Sequence, residues 1–407
     1  MIEFLSAAAQ RPQDEICTGT GWSAEVLTAD DAALKAYETF AQNAVFVPPQ
    51  HPLWTRSWLE GKEGLIAVLS AGSAPVMALA LEIVQKNGFR LARFPGGTHA
   101  NGNFPALKPD ALAERNQYRS ALRTLLSEIR KNRSDVDLLA LERMRTDFAG
   151  SANPLTALPH ARSPNVSLAA DLSSGLEGLL EGPSGKRRRK KHRSQHRKLQ
   201  AAGGHRRFTA SSPSQVDQLL NLFFALKRKR LMRCGLPDIF GDPHTQSSFR
   251  RLFLGALEEL HPPFVLHALE VGGKVRALTG SSRTSNSIIC EFSTFAQDEL
   301  ASASPGDFLF YQNIAEACNE GLAVYDFSVG DEPYKRAWCA IETHHVDVYA
   351  GLTCKGRFLA ATYFAATAIK RTVKQNPWLA PLAARLRNYC SPSNQAASRP
   401  GGAAGGT

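Results

Sequence analysis

Nothing in this chain of 407 residues comes near the roughly 20 consecutive apolar residues that a membrane-crossing helix requires. A transmembrane helix is therefore not expected. The opening MIEFLSAAAQRPQDE has neither a basic n-region nor a long apolar stretch, so it does not read as a signal peptide. Cysteine is sparse: seven thiols (17, 234, 290, 318, 339, 354 and 390), odd in number and without a CxxC pair. That excludes a disulfide framework and a zinc-finger pattern, and points to reduced thiols in a cytoplasmic protein without a metal. HExxH, GxSxG, Walker and GxGxxG motifs are all missing, which removes the usual signatures of zinc peptidases, serine hydrolases, P-loop enzymes and dinucleotide-binding enzymes. GGTHANG and GSSRTS are glycine- and serine-rich, but neither has the spacing of a nucleotide loop.

Net charge is also small, except in one place. Lys186–Lys198 holds nine Lys/Arg and no acid, out of a formal net charge of +11, which leaves +2 for the rest of the chain. The molecule is a nearly neutral body with one basic segment. The segment reads either as a solvated connecting helix or as an arm for a polyanion. Like charges at i and i+4 each cost an isolated helix roughly 0.2–0.5 kcal/mol. Something acidic is thus expected nearby: ligand phosphate or a domain contact first, RNA second, an anionic membrane surface third.

At this length two domains are the default, and the pattern supports them. The first half reads as strand Trp22–Leu27, a helix capped at Thr28-Ala29-Asp30-Asp31 with an acid in its first turn, an extended loop Val45–Pro52 and a short helix Trp54–Leu59. A meander follows (Leu65–Leu69, Val76–Val84, Phe89–Phe94), then a helix near Ala113–Arg130 and strand Val136–Leu141. The Asn87-Gly88 pair in that meander signals a type I′ turn. The second half repeats the plan. It has a strand near Phe208, a helix capped by Ser212 with Pro213 at its first position, a helix Gln246–Leu260 and a meander 264–296 turning at Gly272-Gly273. The expected units are residues 20–172, a linker at 173–185 rich in Gly and Ser, a second unit at 186–390 led by the basic helix, and a disordered tail at 391–407.

The most informative stretch runs from Ser287 to Trp338. Strand Ile288–Phe295 leads through a small-residue loop, Leu300–Asp307, to a helix over Phe308–Asn319 and a strand Leu322–Phe327. A loop at a helix N-terminus presents backbone N–H groups and the positive pole of the helix dipole, a setting for a phosphate or pyrophosphate. Asp307 competes there with any anion. The ordered set Ser304-Pro305-Gly306, Gly321-Leu322 and Asp326-Phe327-x-x-Gly330-Asp331-x-x-Tyr334-Lys335 resembles the FemAB-like branch of the GNAT acyltransferases. In particular it is similar to the bacterial acetyltransferase domain associated with cellulose and exopolysaccharide biosynthesis. The motif match spans some fifty residues; over the remainder of the second half the resemblance is one of pattern.

That resemblance implies an α/β (α+β) fold of tandem GNAT-like domains, each a mixed, mainly antiparallel sheet flanked by helices. It implies acyl transfer from acetyl-CoA or another acyl-CoA to an amine or hydroxyl of a small molecule or glycan precursor. Ser302, Ser304, Pro305, Gly306 and Asp307 would hold the pyrophosphate, with Lys335 as an added cation. Tyr334 stands where such enzymes carry an acid for the leaving thiolate. Glu291, inside an apolar strand, reads either as a residue turned to solvent by alternation or as a general base. Asp326 orders a turn or serves catalysis. His99 in GGTHANGN, with Arg187 and Arg188, is a candidate for acceptor contacts across the cleft between halves. Two other functions remain: transfer from aminoacyl-tRNA, which the basic segment would suit, and a non-catalytic scaffold in polysaccharide assembly.

Overall fold

The computed structural model describes residues 21–109, 115–182 and 184–375. The first half contains β1 (Trp22–Thr28), α1 (Asp31–Ala41), α2 (Pro52–Leu59), β2 (Gly64–Ala71), β3 (Ala74–Lys86), β4 (Phe89–Arg93), β5 (Ala106–Leu107), α3 (Arg115–Asn132), β6 (Leu138–Met144), β7 (Asp147–Phe148), β8 (Ser151–Ala152) and β9 (His160–Asp171). The second contains α4 (Gly175–Glu181), α5 (Gly185–Ala201), β10 (His205–Thr209), α6 (Pro213–Arg233), α7 (Pro243–Ala256), β11 (Phe264–Val271), β12 (Lys274–Arg283), β13 (Ser287–Phe295), α8 (Pro305–Asn319), β14 (Val324–Val329), α9 (Pro333–Arg336), β15 (Ile341–Gly351) and α10 (Cys354–Gln375).

Local chemistry sets many of these boundaries. Asp30 caps α1 by accepting from Ala33 N at 2.8 Å, and Ser212 caps α6 with Pro213 in its first turn. Asn87 and Gly88 both take positive φ, as a type I′ turn between β3 and β4 demands. The segment Val45–Pro52, expected as extended, instead makes a buried 3-10 turn over Pro48–Gln50. The expected linker 173–185 contains α4. The end of the second unit beyond 375 and the tail 391–407 lie outside the described residues.

Thirteen of the described strands form one sheet, and β7 and β8 pair antiparallel in a small sheet of their own. β1, β2, β3 and β4 follow each other antiparallel, β4 pairs in parallel with β6, and β6 pairs antiparallel with β15. The second half repeats that order: β10, β11, β12 and β13 antiparallel, β13 parallel to β14, β14 antiparallel to β9. β15 and β9 then pair antiparallel in the middle. The fold is a tandem in which each half is a mixed, mainly antiparallel sheet flanked by helices. The sixth strand of each half comes from the other half's stretch of chain. The exchange covers the edges that β6 and β14 would otherwise leave open.

The helices reinforce the joint. Trp54 and Trp58 of α2, from the first half, are buried among Phe223, Phe249 and Phe264 of the second. Arg251 of α7 donates to the Ser57 carbonyl at 2.8 Å. No helix among the described residues is long and apolar enough to cross a membrane.

Candidate active site

β13 and β14 pair only from Ser287↔Val324 to Ile289↔Asp326, and then part. Two irregularities drive them apart. On β13 the pairing with β12 slips so that Cys290 faces Ser281 and Phe292 faces Gly280, which leaves Glu291 as the extra residue of a bulge. Glycine is required at 280, since a Cβ there would lie 2.1 Å from the Phe292 ring. On β14 the pairing with β9 slips between Asp326 and Val329, and Ser328 takes φ 60°. The equivalent gap in the first half, between β4 and β6, is filled. Asn103 donates its N–H to the Arg143 carbonyl at 2.9 Å and accepts from Arg145 N at 2.8 Å, and β5 pairs with β3. The second half keeps its gap clear of any strand among the described residues.

Glu291 stands on β13 two residues past the last parallel pair. Its carboxylate accepts a hydrogen bond from Ser282 Oγ at 2.6 Å. Burial pushes its pKa up to about 8, with the nearby Asp326 charge acting in the same direction and Ser282 opposing. Asp326 is buried and accepts from Arg145 Nη2 at 2.9 Å and from Ser328 N at 2.7 Å. Burial raises its pKa against the pull of Arg145. Tyr334, on α9, is 40% exposed and stacks on Phe310 with ring centroids 5.6 Å apart; the packing on its covered side raises its phenol, which stays protonated. The structure thus brings Glu291 and Asp326 together at the gap, with Tyr334 reaching Ser293 of β13 from the far strand's helix.

Other expected residues have different surroundings. Lys335 is buried; its amine donates to the Val329 carbonyl at 3.0 Å and pairs with Glu332 at 2.9 Å, pinning the turn after β14 rather than reaching the loop. Around Ser302, Ser304, Pro305, Gly306 and Asp307, the Asp307 and Phe308 amides both donate to the Ser304 carbonyl at 3.1 Å. The Asp307 carboxylate accepts from Gln195 at 3.2 Å and pairs with Lys191 at 3.0 Å, so α5 covers the start of α8. Gly306 lies against Phe295, where a Cβ would come within 3.2 Å of the ring. Arg188 packs over Trp338 at 4.6 Å and donates to the carbonyls of Leu179 and Ala337, while Arg187 is exposed on α5. His99 stacks on Trp58 at 5.6 Å and meets the Ile239 carbonyl at 3.1 Å. Burial lowers its pKa to about 4, so it joins the halves as a neutral ring.

A cleft of about 890 Å³ lies between the halves, lined by the 44–51 loop and 145–149 on one side and 282–287 on the other. Ser282, Ile289 and Asp326 reach it from the gap, and Arg145 and Arg283 from its walls. Arg145 and Ser282 were not legible as site residues, because each sits in an ordinary stretch and gains its role from a strand distant in sequence. Among the described residues no three His, Cys, Asp or Glu side chains could hold a metal ion.

Residues 186–336 match the family model described as an acetyltransferase (GNAT) domain. The match begins at α5 and ends with α9, so the β9 strand that completes this half's sheet lies outside it. Among solved structures, the crystal structure of FemX aligns with 83% of this chain and 99% of its own, at 10% identity and TM-score 0.56. A conserved protein of unknown function from Bacteroides thetaiotaomicron aligns over 81% and 100%, at 11% identity and TM-score 0.51. The C-terminal domain of a putative lysylphosphatidylglycerol synthetase from Agrobacterium fabrum aligns over 82% and 95%, at 11% identity and TM-score 0.50. At these identities the likeness is one of fold. No curated protein matches the chain.

Proposed function

We propose that this protein is a GNAT-type acyltransferase in which Glu291 is the general base. One observation carries the reading: a carboxyl with pKa about 8 stands where the two parallel strands part, hydrogen-bonded to a serine that lines the cleft between halves. An amine or hydroxyl enters through the cleft and gives its proton to the Glu291 carboxylate as it attacks the carbonyl carbon of an acyl thioester. The C–N or C–O bond forms, the C–S bond breaks, and the departing thiolate takes the Tyr334 proton. No covalent enzyme intermediate is needed.

The donor we favour is an acyl-CoA, in keeping with the acetyltransferase description of the matched segment. Its pyrophosphate lies against the Ser302–Asp307 turn, and Lys191, half-exposed, exchanges Asp307 for the phosphates. The acceptor is a small molecule or glycan precursor of the size the cleft admits, in line with a role beside cellulose or exopolysaccharide synthesis. The test is transfer from acetyl-CoA to a panel of amines and amino sugars, read as free thiol released. A wild-type protein that neither releases thiol nor gains thermal stability with any CoA ester would refute the donor assignment.

A second donor, aminoacyl-tRNA, draws support from α5. Lys186, Lys190, Arg193 and Arg197 recur at helical spacing along one exposed face, none with an acidic partner among the described residues. Such a stripe matches a phosphate backbone. Binding of aminoacyl-tRNA that falls steeply with salt and is lost in Lys190→Gln/Arg193→Gln would favour this donor over CoA.

A further inference from the structure

The C-terminal end of α6 and the loop after it bear two kinds of exposed side chain side by side. Met232, Leu236 and Ile239 are 61%, 44% and 45% exposed, three of the large apolar residues that the described surface leaves in solvent. Among them stand Arg228, Lys229, Arg230 and Arg233, none with a carboxylate at ion-pair distance among the described residues. Arg230 lies over the Phe295 ring at 5.2 Å, and Arg233 donates to the Gln297 side-chain amide, so both lean on the end of β13. The loop is fixed in place. The Gly235 and Leu236 amides close the helix end on the Met232 and Leu231 carbonyls at 3.0 and 2.9 Å, and the Ile239 carbonyl meets His99.

We propose that this patch docks the protein on an anionic lipid surface. Cations answer the phosphates of lipid headgroups, and the aliphatic side chains between them enter the boundary of the acyl region. The combination separates this patch from the α5 stripe, where exposed cations have no large apolar residue among them. A nucleic acid would find use for the cations but not for Met232, Leu236 and Ile239, since bases stack on aromatic rings. The patch borders the gap between β13 and β14: Lys227, one residue before it, donates to the Ser293 carbonyl at 3.3 Å. A docked protein would therefore meet an acceptor presented from the lipid surface.

The docking does not depend on the acyl-transfer reading, and its test requires no turnover. The full chain is sedimented with phosphatidylcholine vesicles, and with vesicles that also contain phosphatidylglycerol, at low and high salt. Binding to the phosphatidylglycerol vesicles alone, weakened by salt, is expected. Arg228→Gln/Lys229→Gln and Met232→Ser/Leu236→Ser should each weaken it roughly tenfold or more, with circular dichroism and melting temperature unchanged. Leu236→Trp keeps an apolar side chain and should show a blue-shifted emission on adding those vesicles, which places the contact at this loop. No binding by the wild type, binding by both double variants equal to that of the wild type, or an unshifted Leu236→Trp emission would each overturn the proposal. So would tRNA binding without vesicle binding, lost in the charge variant and kept in the apolar one, which would assign the patch to nucleic acid.

Discussion

Arg145 Nη2 lies 2.9 Å from Asp326 Oδ2, so a residue just past β6 in the first half neutralises a buried carboxylate of β14 in the second. The Asp326 side chain is nearly sealed from solvent, and Arg145 is only 21% exposed. Removing the guanidinium therefore leaves a charge without its partner at the floor of the cleft. Arg145→Met should destabilise the protein by roughly 3 kcal/mol, at the low end of what breaking a buried pair costs. Arg145→Met/Asp326→Asn should recover most of the loss. Urea unfolding of these two variants and of Asp326→Asn alone measures both numbers, and an additive double variant would show that the pair is not coupled.

The parts of this fold fixed by neighbouring residues were legible. Asp30 and Ser212 cap their helices, Asn87-Gly88 turns its hairpin, and the 287–329 stretch makes strand, helix and strand. The exchange of β9 and β15 was not. β9 reads HARSPNVSLAAD, polar along much of its length and carrying Pro164, so nothing local marks it as a central strand. Its partners, β14 and β15, lie more than 150 residues away in the sequence. The site divides in the same way. Glu291 stood out as an acid in an apolar strand, whereas its bulge depends on Gly280, and its hydrogen bond on Ser282, both on another strand. Lys335, expected as an added cation for the pyrophosphate, is buried, because the carbonyls of Ser328 and Val329 converge on it.

The strand exchange predicts that the halves cannot be separated. A fragment spanning 186–375 contains the matched acetyltransferase segment but lacks β9, so β14 would be left with an open edge and Trp54 and Trp58 would be missing from its core. Such a fragment should aggregate or remain unfolded. The whole chain should melt in a single transition whether followed by far-ultraviolet dichroism or by tryptophan fluorescence. Two resolved transitions would mean that each half is stable without the strand it borrows.

Tyr334 combines a stacked, partly covered ring with a phenol that stays protonated. Tyr334→Phe retains the stack on Phe310 and removes only the hydroxyl. If the phenol donates to the leaving thiolate, kcat should fall about 100-fold with KM little changed, within the range for loss of a general acid. A poorly basic leaving group, such as an aryl thioester, should recover much of the rate. An unchanged kcat with acetyl-CoA would reduce Tyr334 to a packing residue.

Glu291 links the proposed chemistry to stability, and the two effects have opposite signs. As a base it acts in its ionised form, so the rate of the wild type should rise with pH and level off above about 8. Glu291→Gln can still accept the Ser282 hydrogen bond but cannot take a proton, and should lose about 100-fold in kcat at every pH on that plateau. For folding the direction reverses. The pKa stands at about 8 in the native state against an ordinary 4.5, so between those values the folded protein holds a proton that the unfolded chain has released. Stability from this group is complete below 4.5 and is lost as pH rises toward 8. Glu291→Gln removes that dependence. It should match the wild type in melting temperature near about pH 5 and exceed it at about pH 9, while remaining the poorer enzyme at the higher pH. A variant less stable than the wild type at the higher pH would place the Glu291 carboxylate in an environment that favours its charge, and the residue would then be an ion-pair partner rather than a base.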